Sequence, residues 1–127
     1  MTEYMGADGV RYLLEGKVIF YPSGRVKYGR LAKDTFFNGM KWQASRWVEF
    51  SEAGTVSQIR LVEDTRVKGI KWAGGCSIRF YESGQIKFGR LAEDSFIDGT
   101  KYNCGDDIIF NEIGKVSVIM HPELIHA

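Results

Sequence analysis

Cysteine, proline and histidine are almost missing from this chain, at two residues each in 127. Cys76 and Cys104 have neither metal-ligand spacing nor the pattern of a disulfide framework, so a reducing, cytoplasmic setting is expected. His121 and His126 stand near the C-terminal end with no acid or nucleophile beside them. A catalytic dyad is therefore not expected, because base and nucleophile must lie within hydrogen-bond reach. No apolar run approaches the ~18 residues of a membrane span. The first sixteen residues, with Glu3, Asp8, Arg11 and Glu15, lack the apolar segment of a signal peptide. Charge of one sign is also lacking: 17 basic residues face 16 acidic ones, for a net charge of +1. No global field draws the chain to nucleic acid or to an anionic membrane, and neither is expected as a partner.

What the chain does have is glycine, 15 residues, and aromatics at 13%. This mix favours strands joined by tight turns, since aromatic side chains fit a pleated surface and glycine supplies positive φ. These residues fall in columns thirty apart. Phe20, Phe50, Phe80 and Phe110 form one column, and Gly24, Gly54, Gly84 and Gly114 follow four residues later. Gly9, Gly39, Gly69 and Gly99 form another. Each of these opens a triplet with a basic residue in its centre and an aromatic at its end: Val10-Arg11-Tyr12, Met40-Lys41-Trp42, Ile70-Lys71-Trp72 and Thr100-Lys101-Tyr102. Arg30-Leu31, Arg60-Leu61 and Arg90-Leu91 precede Asp34-Thr35, Asp64-Thr65 and Asp94-Ser95. The register runs without a gap, so four copies are read at about 9–38, 39–68, 69–98 and 99–120, with a tail at 121–127. With no linker between them, a single domain spanning 1–127 is expected.

Within the third copy, three short runs show strand periodicity. Gly69 to Trp72 and Ser77 to Tyr81 alternate, and Gln85 to Ala92 places Ile86 and Phe88 on one face before the phase slips at Gly89. Gly29 and Gly89 suggest a β-bulge there. The fold class is therefore all-β: four repeats of three short strands, about twelve in all, in a curled antiparallel meander. A parallel β-solenoid is the alternative, and a closed barrel or propeller-like ring a third option. Copies one and three share Phe-Tyr-x-Ser-Gly, Tyr28-Gly29 or Phe88-Gly89, and Phe36 or Phe96 where copy two has Arg66. Either an early pair duplicated, or an odd number of strands makes like environments recur every sixty residues.

At Phe20-Tyr21-Pro22-Ser23-Gly24-Arg25-Val26-Lys27 and Phe80-Tyr81-Glu82-Ser83-Gly84-Gln85-Ile86-Lys87 the chain resembles the MORN-type repeat, in particular its bacterial variant. The resemblance implies sheets built from successive hairpins and used as scaffolds or interaction surfaces; some bacterial members are labelled antitoxin-like. It brings no catalytic residues. The unit here is longer than the usual one by a Leu-Ala-x-Asp-Ser/Thr segment.

Two functions follow as expectations. The first is a non-enzymatic structural or protein-interaction scaffold, with no cofactor, binding a protein partner or associating with itself through sheet edges. The N-terminal segment and the tail around Pro122 are the candidate caps for those edges. The second is a binder of a small anionic ligand such as a nucleotide or glycan. Its candidate residues are the basic column Arg11, Lys41, Lys71 and Lys101, the second column Arg30, Arg60 and Arg90, and Trp42 and Trp72 as stacking rings. The bland alternatives are a solvated basic face, an Arg–Asp ladder using Asp34, Asp64 and Asp94, and aromatics packed in the core. The Asp-Ser/Thr pairs read as turns, and no EF-hand spacing supports calcium.

Overall fold

The computed structural model describes residues 3–6, 9–37 and 39–120. The tail with His121, Pro122 and His126 lies outside the described residues. Within them every regular element is a strand. In chain order these are β1 Glu3–Met5, β2 Arg11–Leu13, β3 Ile19–Phe20, β4 Val26–Arg30, β5 Thr35–Phe37, β6 Met40–Trp42, β7 Trp47–Phe50 and β8 Val56–Arg60. They continue as β9 Thr65–Val67, β10 Ile70–Trp72, β11 Ser77–Phe80, β12 Ile86–Arg90, β13 Ser95–Ile97, β14 Thr100–Tyr102, β15 Asp107–Phe110 and β16 Val116–Met120. The chain is all-β, as its turn-punctuated alternation predicts. Sixteen strands form among the described residues, however, not about twelve.

Three of the four extra strands come from the segments read as Asp-Ser/Thr turns, and the fourth is β1. Thr35–Phe37 is itself a strand, hydrogen-bonded to Met40–Trp42 in the register Thr35↔Trp42, Phe36↔Lys41. The same hairpin forms as β9/β10 and β13/β14. Its tip has positive φ at two successive residues, Lys68 (53°) with Gly69 (83°) and Asp98 (51°) with Gly99 (81°). That geometry matches the right-handed twist of two short strands, and it explains why this column is glycine.

Contacts divide the chain into two compact units, Met1–Ile59 and Arg60–Ala127. In the first, neighbouring strands run β8-β7-β4-β3, with β1/β2 and β5/β6 as separate hairpins. In the second they run β16-β15-β12-β11, with β9/β10 and β13/β14 separate. Each pair described here is antiparallel, which sets aside the parallel solenoid. Neither order closes on itself, so no barrel or ring forms.

The bulge lies elsewhere than at glycine. Phe20 pairs with Val26 but Ile19 pairs with Tyr28, so Lys27 is the extra residue. The equivalent shifts fall at Ser57, Lys87 and Ser117. Ile86 and Phe88 consequently point to opposite faces: Ile86, Gly89 and Leu91 are buried, whereas Phe88 is only half-buried. Gly29 and Gly89 are ordinary ladder residues opposite Val48 and Ile108. They are glycines because a ring lies on them. A Cβ at Gly29 would come within 2.8 Å of Tyr12 Cδ1, and one at Gly89 within 2.5 Å of Trp72 Cε3.

Leu31, Val48, Phe50, Val56 and Ile59 with Tyr12 and Trp42 make the first core. Ile78, Phe80, Ile86, Leu91, Ile108 and Phe110 with Trp72 make the second. A polar tie recurs in each unit. Tyr21 donates its hydroxyl to the Phe50 carbonyl at 2.7 Å, and Tyr81 to that of Phe110 at 2.6 Å. Desolvation, with Glu49 and Glu52 nearby, holds the Tyr21 phenol above its ordinary pKa, so it stays a donor. No helix among the described residues is long and apolar enough to cross a membrane.

Candidate functional site

The separate hairpins β5/β6, β9/β10 and β13/β14 carry the most conspicuous surface chemistry. Alternation turns their end residues inward: Trp42, Val67, Trp72 and Ile97 are buried. The central pair of each hairpin therefore faces solvent, and these pairs are Phe36↔Lys41, Arg66↔Lys71 and Phe96↔Lys101. Phe36 and Phe96 are each 74% exposed. Single exposed apolar side chains occur on any protein, and Ile113 at 77% is as open; what distinguishes these two rings is that each lies across its strand pair from a lysine.

The basic column is partly neutralised by the acidic residues beside it. Lys41 Nζ lies 3.4 Å from Asp34 and Lys101 Nζ 3.7 Å from Asp94, with all four side chains about half exposed. Such pairs contribute roughly 0–1 kcal/mol, so the lysines remain open to a better acidic partner. Arg11 pairs with Glu3 at 3.7 Å. Lys71 is half-buried beside Arg66, which itself reaches Glu93 at 3.2 Å and the Gly69 carbonyl at 3.1 Å.

Among the described residues no ladder joins Arg30, Arg60 and Arg90 to Asp34, Asp64 and Asp94. Arg30 donates to the Ser45 carbonyl and lies 6.0 Å from the Trp47 ring. Arg60 is exposed at the end of β8. Arg90 makes two bonds to Asp107, at 2.7 and 3.1 Å. The aspartates instead accept backbone N–H groups ten residues on, from Ala44, Gly74 and Cys104, at 2.8–2.9 Å. They tie the far end of each hairpin to its root, a longer reach than the two-residue turn expected of them.

This has a measurable consequence at Asp34. The Ala44 N–H bond is the largest cause holding its carboxyl below the ordinary aspartate pKa, and Lys41 adds to it. A depressed folded pKa means the stabilisation is present above the unfolded value and lost as pH falls through the folded one. NMR titration should therefore give Asp34 a midpoint below that of a model aspartate, and Asp34→Asn should flatten the acid-side loss of stability. An unshifted midpoint would contradict the Ala44 bond.

Trp42 and Trp72 are 3% and 1% exposed, so neither can stack on a ligand. Trp42 donates its indole N–H across its own hairpin to the Phe37 carbonyl at 3.2 Å. In the second unit an open cleft of about 170 Å³ has walls of Ile70, Ile86, Ile97 and Phe110, with Lys68 and Asp98 at its rim. It falls short of the ~300–1,000 Å³ of ligand pockets. None of the nine basic and tryptophan candidates lines it. Cys76 and Cys104 are free thiols, and no cluster of metal-ligating side chains occurs among the described residues.

Sequence reasoning noted Phe36 and Phe96 only as markers of a sixty-residue period. Their exposure could have been found by placing them opposite Lys41 and Lys101, for which a solvated face was one of the two readings. No family model, curated protein or solved structure matches the chain.

Proposed function

We propose that the chain is a non-enzymatic, MORN-like repeat module of four thirty-residue copies, a cytoplasmic scaffold that presents its outer hairpins to a protein partner. The observation that carries this reading is the pair of rings at Phe36 and Phe96, each 74% exposed and each beside a lysine–aspartate pair. An apolar anchor with a charged rim is the usual anatomy of a protein-binding patch. The antiparallel hairpins support the repeat assignment. Binding of a small anionic ligand is the weaker reading, because its stacking rings are buried.

The test is affinity capture with the intact chain against Phe36→Ser/Phe96→Ser. Both rings are exposed, so the double variant should keep its stability to within roughly 0.5 kcal/mol per site. Proteins retained by the intact chain should be lost from the variant. Equal retention by both would overturn the reading.

A further inference from the structure

β3 and β16 have no further strand partner among the described residues beyond β4 and β15 respectively. Described positions at both edges are less well buried than those thirty and sixty residues away. Val48, Ile78 and Ile108 are fully buried, but their counterpart Val18 is only half-buried. Phe50, Phe80 and Phe110 are buried, whereas Phe20 is 44% exposed. At the other end, Ile59 is fully buried and Ile119 only half-buried; Tyr12, Trp42 and Trp72 are buried and Tyr102 is half-exposed. What covers these positions inside the chain is visible in the first unit. Phe50 is met edge-on by Phe37 at 5.5 Å and by Tyr12 at 6.3 Å, both from the segment 9–38 that precedes its own copy. Among the described residues Phe20 meets one such ring, Tyr4 at 5.4 Å.

We infer that β16 of one molecule pairs antiparallel with β3 of a second copy, so that chains associate head to tail. The inference rests on the repeat reading above. It adds a partner, a register and a polarity. The register is that of the chain's own junctions. β4 meets β7 as Tyr28↔Glu49, Gly29↔Val48 and Arg30↔Trp47, and β12 meets β15 as Phe88↔Ile109, Gly89↔Ile108 and Arg90↔Asp107. Advancing the β4 positions by ninety and moving the β7 positions back by thirty gives Val118↔Ile19, Ile119↔Val18 and Met120↔Lys17. Tyr102 of the first molecule then falls on Phe20 of the second, where Tyr12 falls on Phe50.

The backbone phase agrees. Leu31 and Leu91 donate to Arg46 and Asp106 of the following strand at 2.9 Å, so alternation turns residues 29 and 89 toward that strand as well. By the same phase, the N–H of Ile119 points away from β15 and that of Val18 away from β4. The two surfaces differ from one another, so the contact is heterologous. It closes no pair and extends by one molecule at a time.

The test is the mass of the intact chain in solution as concentration rises. The mass should climb past twice 14.4 kDa without a plateau at two. Val18→Pro and Ile119→Pro each remove one outward amide from an edge strand, where proline is tolerated. Each alone should stay at the mass of one chain, while a mixture of the two should form a pair and stop there, since each retains the edge that the other has lost. Phe20→Glu alters an exposed side chain and serves if a proline variant loses its circular dichroism; it should also hold the mass at one chain. A strict monomer, a dimer insensitive to both edges, or a mixture that stays monomeric would each overturn the inference. Phe36→Ser/Phe96→Ser should leave the mass unchanged, so partner capture and self-assembly can fail independently.

Discussion

Alanine at Gly89 is expected to destabilise the fold by about 3 kcal/mol, seen as an earlier midpoint in denaturant at unchanged slope. The new Cβ would lie 2.5 Å from Trp72 Cε3 and 2.8 Å from Cζ3. A long side chain could swing away, but this ring is 1% exposed and meets Phe110 edge-on at 6.2 Å. Either the ring or the strand must move. Gly29→Ala should act in the same direction with a smaller effect, because its closest approach, to Tyr12 Cδ1, is 2.8 Å. The Trp72 indole N–H is buried without a hydrogen-bond partner among the described residues, so shortening this side chain sacrifices packing and none of the hydrogen bonds described. Gly89→Ala with Trp72→Leu should therefore cost less than the sum of the two single changes. Simple additivity would show that the ring is not what excludes a side chain at 89.

The second large effect is expected at Arg90. Its guanidinium holds Asp107 through two bonds, and the pairing raises the Arg90 pKa further above its ordinary value. Asp107 is 11% exposed at its side chain and Arg90 46%. Arg90→Met would leave a nearly buried carboxylate without its counter-charge. The cost should be about 2–3 kcal/mol, below the 3–5 of a fully buried pair because water reaches the arginine end. Adding Asp107→Leu should restore most of the loss in a thermal melt, since an apolar pair of similar size requires no desolvated charge. Arg30 provides the contrast. Trp47 occupies the place that Asp107 has beside Arg90, and Arg30→Met leaves no buried carboxylate. Its cost should stay near 1 kcal/mol or below. Equal losses at Arg30 and Arg90 would refute the explanation.

The strand class was legible because each Phe column is followed by its own glycine turn. The outer hairpins were not, although Asp98-Gly99 between two three-residue runs is a two-residue hairpin signal. That glycine column was read as the start of a copy, which hid its place at the tip of a turn. Gly29 and Gly89 were read through local chemistry, where glycine suggests a bulge. Their cause is a ring from another strand, seventeen residues earlier in the chain in both cases, and a single sequence does not reveal such a contact. The same applies to Arg90: three regular aspartates lie nearby in sequence, yet its partner is Asp107, which belongs to no column. Of the candidate site, the outward face of the lysines followed from period-two alternation. The burial of Trp42 and Trp72 on the opposite face obeys the same rule, and it favours the core alternative over their reading as stacking rings. The exposure of Phe36 and Phe96 follows once the hairpins place these rings opposite Lys41 and Lys101, a pairing hidden while their glycines were read as the start of a copy.

The tyrosine ties have a consequence for the order of events during synthesis. Tyr21 reaches Phe50 and Tyr81 reaches Phe110, each across twenty-nine residues. The strand pairs around them join elements that are neighbours or near neighbours in the chain. Little loop entropy is lost at any one closure, which is the condition for rapid folding despite an all-β architecture. The first tie can form once residue 50 has left the ribosome, while the second tyrosine is still being delivered. Nascent chains would then bury their apolar strands in instalments, and little hydrophobic surface would wait exposed for a distant partner.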